Sequence, residues 1–343
     1  MIGVGYWGPN LIRNFSDLDD AQVVSCSDLS QERLNKIAKR YLAVKCTQHN
    51  EELLADPQVD AVVVATPVST HYPIAKAALE AGKHVMIEKP LADSSEHALD
   101  LVETAERVGR VLMVDHTFIY TSAVRKMREL IDSGELGDIL YFDSIRVNLG
   151  LFQKDINVIW DLAPHDLSIM DFLLRAEPIA VSAIGASHAG NDIANIAYLT
   201  LRFPNNILAH FHVNWLAPVK IRQTLLGCSK KMVVYDDVEP TDKIRVYDKG
   251  IVVNGTNGSA EKRYQALVGY RTGDVLIPKI DTTEALLRVA QEFVSSIAES
   301  RAPLTDGVAG YRVVRYLEAA QRSLENNGHE VLLEEAAESL VRS

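Results

Sequence analysis

Gly3-Val4-Gly5-Tyr6-Trp7-Gly8 opens the chain, and Pro9-Asn10-Leu11-Ile12-Arg13-Asn14-Phe15 follows directly. Three glycines in a G-x-G-x-x-G pattern between a short apolar run and a helix have separate mechanical reasons. The first allows a tight turn, the second lets backbone approach a pyrophosphate, and the third lets helix and strand pack closely. The helix from Pro9 to about Phe15 would aim its unbonded N–H groups and positive dipole end at that pyrophosphate. Tyr6 and Trp7 would border it. Asp28 stands twenty residues beyond Gly8, after the run Val23–Ser27. A carboxylate there accepts hydrogen bonds from the adenosine ribose and repels a 2′-phosphate, which predicts NAD in preference to NADP. Arg33 tempers that reading, since a guanidinium can stack on adenine or meet a phosphate. A bare glycine turn beside a surface aspartate is the bland alternative.

Outward from this loop, short β-branched runs alternate with amphipathic helical stretches. Strands are expected at Met1–Val4, Val23–Ser27, Ala61–Ala65, His84–Ile87 and Val111–Val114, and helices at Glu32–Tyr41, Tyr72–Ala81 and Ser94–Val108. That alternation predicts βαβ units and a mostly parallel sheet over residues 1–118. Only Met1 and Ile2 precede Gly3, whereas a buried strand usually runs about five or six residues. Either the strand is short or the chain start has been set late, and both weaken the sheet beside the loop. From 119 to 343 the texture changes. A helix Thr121–Ser133 leads to strands at Ile139–Val147, Ile179–Ile184, Ile196–Phe203, Ile207–Val213, Ile221–Leu226, Lys231–Tyr235 and Lys243–Tyr247. A helix Ala163–Leu174 lies among them, Ile251–Gly258 reads as loop, and helices Thr283–Ala298 and Ala309–Asn326 close the chain. The fold expected is an α/β Rossmann domain followed by an α+β domain with a large open, mainly antiparallel sheet.

The 343 residues suit two domains, and 47% apolar residues suffice for sizeable cores. A net charge of −11 without any Lys/Arg run disfavours nucleic acid as a partner. Cys26, Cys46 and Cys228 are far apart in sequence and form no CxxC, so neither a zinc knuckle nor a disulfide framework is visible. No signal peptide or bilayer-length apolar run stands out, which places the protein in the cytoplasm and off the membrane. His210 and His212 alternate on a strand without further ligands beside them, so no metal is expected.

Chemistry-bearing residues gather at expected strand ends. The run Thr66-Pro67-Val68-Ser69-Thr70-His71 follows the third strand, where ligands of open α/β sheets bind; Ser69 or Thr70 would equally serve as helix caps. Glu88-Lys89-Pro90 follows the fourth strand, and a lysine there has little reason to exist for stability. His116 follows the fifth and is a further candidate for the nicotinamide end. In Trp160-Asp161-Leu162-Ala163-Pro164-His165-Asp166 the proline predicts a helix start, with Asp161 as N-cap and His165 one turn on, on the same face. A plain cap and a packed histidine explain the pair equally well. Alcohol oxidation supplies a reason for the set: hydride leaves carbon while a proton leaves oxygen. His165, kept neutral by a helix N-terminus, would accept the proton, Lys89 would stabilise alkoxide character, and Asp161 would orient His165 or grip a neighbouring hydroxyl. Arg146 and Arg222 are candidates for a substrate diphosphate, with Asn148 beside them.

These motifs together resemble the Gfo/Idh/MocA oxidoreductases over nearly the whole chain. The resemblance implies a catalytic Lys89 and an acid/base His165 accompanied by Asp161. It also implies NAD or NADP as cofactor, a sugar, cyclitol or nucleotide-sugar substrate, and a homodimer or homotetramer formed through the second-domain sheet. The stretches Asp115–Tyr120, Arg146–Gly150 and Asn157–His165 are similar to members that oxidise nucleotide sugars of the UDP-N-acetylglucosamine or glucosaminuronate type at C3 in polysaccharide biosynthesis. The expected activity is therefore NAD-dependent oxidation of a ring hydroxyl, or its reverse. A cyclitol or free-monosaccharide dehydrogenase is the alternative, as is a non-catalytic dinucleotide sensor, which the short first strand would suit.

Overall fold

A computed structural model describes residues 1–150, 156–188, 193–253 and 268–333. The chain forms two compact units. Among the described residues one comprises 1–121 with 283–318, and the other 122–282 with 319–333.

In the first unit, β1 (Ser25–Ser27) and β2 (Lys45–Thr47) pair in parallel, as do β3 (Ala61–Val64), β4 (His84–Glu88) and β5 (Leu112–Asp115). Ile2 joins the two sets by bridging in parallel to both Ser27 and Val64. Its N–H donates to Val63 O and its carbonyl accepts from Ala65 N, both at 2.8 Å, while Gly3 N–H donates to Ser27 O at 2.8 Å. The expected strand Met1–Val4 thus shrinks to residues bonded on both sides at the sheet's centre. The spatial order becomes β2-β1-Ile2-β3-β4-β5, a doubly wound sheet whose strand order reverses at Ile2. Its hydrophobic residues are almost fully buried, with Ile2, Cys26, Val64, Ile87 and Val114 all at 1% exposure or less. Helices α1 (Gly8–Ser16), α2 (Gln31–Arg40), α3 (Asn50–Ala55), α4 (His71–Glu80) and α5 (Ser95–Val108) connect the strands. Ser30 caps α2 and Ser94 caps α5 through side-chain bonds to the third residue on. Cys26 and Cys46, distant in sequence, face each other across β1 and β2 with their sulfurs 3.4 Å apart.

The split expected at residue 118/119 placed the C-terminal helices in the second domain. Instead Ala285–Ala298 packs on α1. Phe293 meets Phe15 edge to face at 6.3 Å, and Glu284 receives both arms of the Arg13 fork. Thr305 continues the attachment: its carbonyl accepts from Val114 N–H, and its hydroxyl donates to Val114 O and pairs with the Tyr120 hydroxyl. The apolar face of Ala285–Ala298 (Leu286, Val289, Ala290, Phe293) explains this, because it needs a helical surface to bury against.

The second unit starts with α6 (Ser122–Asp132) and is built on one large sheet. Its strands are β6 (Ile139–Leu149), β7 (Ala180–Ala186), β8 (Ile196–Arg202), β9 (Leu208–Asn214), β10 (Leu216–Cys228), β11 (Met232–Asp236) and β12 (Ile244–Tyr247). A separate hairpin is made by β13 (Gly250–Val253) and β14 (Val268–Arg271), and β15 (Val275–Leu276) and β16 (Val331–Leu332) take the edges of the large sheet. Among the described residues that sheet has nine strands in the order β15-β12-β11-β10-β6-β9-β8-β7-β16, every pair antiparallel except β6 with β9. Residues 251–253 are therefore strand rather than loop; 254–258 lie outside the described residues. Helix α7 (Val158–Leu174) contributes Leu167, Met170 and Leu173 to the core, and Phe142, Ser144 and Arg146 of β6 and Phe211 of β9 are likewise buried. The opposite parity of the strands leaves Ile184 (58% exposed), Leu208 and Tyr198 open, with His212 stacked on Tyr198 at 4.5 Å.

Candidate active site and its family

Every strand of the first unit's sheet ends on one edge, and the predicted cofactor residues ride on those ends. Gly3 sits at φ +87°, and a Cβ there would lie 2.5 Å from Ala65 O; one at Gly8 would lie 2.4 Å from Gly3 O. Both positions exclude a side chain because of the turn itself. Gly5 differs: the nearest atom to a Cβ there is Arg33 Nη1 at 3.6 Å, so the protein leaves the space over it open. An uncrowded glycine backbone is what a closely approaching pyrophosphate requires. Helix α1 adds to the fit, since its N-cap Trp7 makes no side-chain cap and no acidic residue occupies its first turn. Tyr6 and Trp7 stand on the turn 82% and 46% exposed, their rings edge to face at 5.3 Å.

Asp28 is fixed at the end of β1. Its Oδ2 accepts from Val4 N–H at 2.9 Å and its Oδ1 from Ser30 N–H at 2.8 Å, with Arg33 Nη1 at 3.5 Å. The residues present thus fit a dinucleotide, with a carboxylate at the ribose position and a guanidinium between it and the glycine turn.

The next loop behaves differently from expectation. Thr70 does not cap α4; its hydroxyl lies 2.7 Å from both Thr66 Oγ1 and Pro67 O. His71 is buried and spans two loops, with Nε2 2.8 Å from Thr66 O and Nδ1 2.9 Å from Pro90 O. It ties the Thr66-Pro67 loop to the Glu88-Lys89-Pro90 loop, whose Lys89–Pro90 peptide is cis. Burial lowers its pKa against the pull of those two carbonyls. The structure thus makes His71 a clasp between two strand-end loops.

Lys89 leaves the end of β4 half-buried, and its charge is felt by Glu88, Asp115, His116 and His71. His116 is 1% exposed; burial, with Lys89 and Arg312 adding to it, pushes its pKa down to about 3. It is a neutral imidazole at neutral pH. Asp115 was not singled out as a site residue from sequence. The only signal was its position one residue before His116, at the end of a strand parallel to the one ending in Glu88.

In the second unit α7 begins earlier than its proline suggests. Asn157 is the N-cap, accepting from Ile159 N–H at 3.0 Å and Trp160 N–H at 3.3 Å, and Pro164 lies inside the helix. Asp161 is consequently no cap, and His165 sits in the third turn, beyond the reach of the helix N-terminus that was to keep it neutral. The i, i+4 pairing survives, with both residues half-buried. Trp215 Nε1 donates to Asp161 Oδ2 at 2.9 Å and fixes that carboxylate. Arg146 is 3% exposed, and its fork is taken by Asp166 at 2.7 and 2.9 Å. Burial opposes its charge, but Asp166, with Tyr235 and Asp237, holds its pKa above the ordinary value. Arg146 therefore clamps α7 to β6 instead of facing a diphosphate. Arg222, its direct cross-strand partner, donates to Asp237 at 3.2 Å; Asn148 lies half-buried farther along β6. Among the described residues no three His, Cys, Asp or Glu side chains are grouped to hold a metal, and no helix is long and apolar enough to cross a membrane.

A glycine turn left open over Gly5, a carboxylate fixed at the end of β1 and a strand-end lysine, followed by a unit built on a large open sheet, are the features of a dinucleotide-dependent oxidoreductase. The chain belongs to the GFO/IDH/MocA family. Residues 1–116 match its oxidoreductase model with an NAD-binding Rossmann fold, and 124–261 match its C-terminal domain. It is 29% identical over 317 residues to the UDP-N-acetylglucosamine 3-dehydrogenase of Acidithiobacillus ferrooxidans, covering 92% of this chain and 93% of the relative. A crystal structure of that enzyme superposes with a TM-score of 0.80 over 95% of this chain and 96% of the other at 26% identity. The myo-inositol 2-dehydrogenase of Thermotoga maritima is 24% identical over 352 residues, 98% of both chains. The reason for a non-catalytic sensor falls away, since the short first strand is fully bonded at the sheet centre and the chain is an enzyme of an oxidoreductase family.

Proposed function

We propose that the protein is an NAD-dependent dehydrogenase that oxidises a ring hydroxyl of a nucleotide sugar, or reduces the corresponding keto-sugar. The observation that carries the reading is Lys89 leaving the C-terminal edge of the same parallel sheet that carries the open glycine turn. Similarity to a UDP-N-acetylglucosamine dehydrogenase along almost the full chain supports the substrate class. Similarity of equal extent to an inositol dehydrogenase keeps a cyclitol or free monosaccharide as the second reading. Asp28, bonded in place at the ribose position, favours NAD over NADP.

The bound nicotinamide supplies the hydride acceptor. The chain's residues handle the rest. Gly5 and the N-terminus of α1 receive the pyrophosphate, Asp28 the ribose, and Arg33 the adenine side. Lys89 donates a hydrogen bond to the oxygen that gains alkoxide character. His165 takes the proton, and Asp161, steadied by Trp215, orients it or grips a neighbouring hydroxyl. Asn148 and Arg222 contact the substrate, while Arg146 holds the scaffold behind them. We infer a cytoplasmic homodimer or homotetramer joined through the open sheet face, because Ile184, Leu208 and Tyr198 leave an apolar surface there.

Incubation with NAD and a panel of UDP-sugars should generate reduced-nicotinamide absorbance. Lys89→Met should lower kcat by roughly 10²–10⁴-fold with NADH binding retained; unchanged turnover would remove Lys89 from the mechanism. Free UDP should compete with a nucleotide-sugar substrate and leave cyclitol turnover untouched.

A further inference from the structure

Glu88 and Asp115 end adjacent parallel strands and stand directly opposite in register, so their side chains share one face of the sheet. Asp115 is 1% exposed. Its Oδ1 accepts from Thr117 Oγ1 at 2.7 Å, but its Oδ2 is buried with no fixed donor to fill it. The side chain facing it is the carboxyl of Glu88. Two ionised carboxylates there would repel each other and leave that buried oxygen unsatisfied. One proton between them removes both problems, because the protonated acid donates to the orphaned oxygen. The other neighbours agree. Lys89 acts on both carboxyls as the nearby cation, and His116, buried and neutral, brings no compensating charge. Arg312 bears on His116. Burial, then the charge of Asp115, pushes Glu88 well above the ordinary carboxylate range, and burial raises Asp115 as well.

We propose that Glu88 and Asp115 share a single proton and that the one negative charge left on the pair is the counter-ion that positions the Lys89 ammonium. Asp115 is thereby a positioning residue for the reaction, acting through Glu88 and Lys89. A pair with one charge matches one ammonium, whereas a doubly ionised pair would over-bind it and a doubly protonated pair would release it. The inference rests on the catalytic assignment of Lys89 above.

Infrared spectroscopy of the whole enzyme without substrate tests the proton directly. The difference between wild type and Asp115→Asn at neutral pH should contain the carbonyl stretch of one protonated carboxylic acid. In the variant the amide N–H takes over the hydrogen bond and Glu88 ionises. A difference spectrum without that band overturns the proposal. Turnover tests the counter-ion. D115N keeps one charge beside Lys89 and should lose less than about tenfold in kcat. D115N combined with E88Q has none and should lose at least about a hundredfold, mainly in kcat rather than KM. A double variant no worse than D115N overturns the counter-ion role even where the infrared band is present. Should Lys89→Met itself leave turnover intact, the functional reading fails while the infrared result stands, so the two failures are separable.

Discussion

The nucleotide-side edge of the first unit and the helix-covered sheet of the second position polar groups by opposite means. On the first, backbone does the placing. Gly3 and Gly8 are bare because Ala65 O and Gly3 O occupy the space, and Asp28 is held by two main-chain N–H groups. On the second, side chains place one another across long sequence distances: Arg146 with Asp166, and Trp215 with Asp161 54 residues away. A backbone device demands a particular residue type at its own position, whatever part of the chain lies across from it. A side-chain device needs only complementary partners brought together by the fold.

The contrast can be broken first where the effect is largest. Arg146→Met leaves Asp166 buried without its fork, so it should cost about 3–5 kcal/mol in denaturant unfolding. Adding Asp166→Leu should restore much of that loss, because an apolar pair of similar volume avoids the charge burial. A double variant as unstable as the single would show that the pair does more than satisfy itself.

The glycines sharpen the other side. Gly3→Ala forces a Cβ into Ala65 O at positive φ and should cost about 2–4 kcal/mol, with nucleotide binding lost alongside. Gly5→Ala should leave the melting temperature within error and still weaken NADH binding roughly tenfold or more, read by fluorescence titration, since its space is kept for the ligand. Equal loss of stability in both variants would contradict the open cradle over Gly5.

The same contrast explains what could be read in advance. The glycine turn, Asp28 and the strand-end Lys89 were legible because periodicity places strand ends and the turn has a fixed pattern. The antiparallel sheet was legible from its alternating strands, although β10 starts at Leu216, five residues before the expected Ile221. Among the features that were not, three have a cause that the local pattern does not carry. β2 is three residues long and half-exposed, too short to show a period. The return of Ala285–Ala298 to the first unit depends on a helical surface, chiefly Phe15 and Arg13, far away in sequence. The burial of Arg146 depends on Asp166, which carried no signal as its partner.

Buried histidine gives a smaller, pH-dependent test on the backbone-placed edge. His116 has a pKa of about 3 in the folded chain against an ordinary 6.5. Below pH 6.5 the unfolded chain binds a proton that the folded one refuses, so folding stability falls as pH drops from there toward 3. At pH 5 that amounts to about 2 kcal/mol. His116→Gln should lose correspondingly less stability between pH 7 and pH 5. His71, lowered in the same direction by burial, adds to the wild-type slope. The Glu88–Asp115 pair has the opposite sign, since it binds its proton more tightly folded than unfolded. A variant with an unchanged pH slope would mean that His116 is charged or solvated in the fold.

The smallest effect bears on where α7 begins. If its first turn is capped by Asn157, Asn157→Ala should cost about 1 kcal/mol by leaving the N–H groups of Ile159 and Trp160 unbonded. Asn157 Nδ2 also donates to Gln321 Oε1 at 2.6 Å, so Asn157→Asp, which keeps the cap acceptor and removes that donor, separates the two contributions. A carboxylate at the helix N-terminus is favoured by the dipole and should recover most of the lost stability. Asp161→Asn retains a carbonyl acceptor for Trp215 and should barely move the unfolding midpoint, while lowering kcat if that carboxylate orients His165. The pattern predicted by the proline alone is the reverse, with Asp161 carrying the cap and Asn157 replaceable. Chemical denaturation of the three variants therefore decides whether the sequence or the fold set the start of this helix.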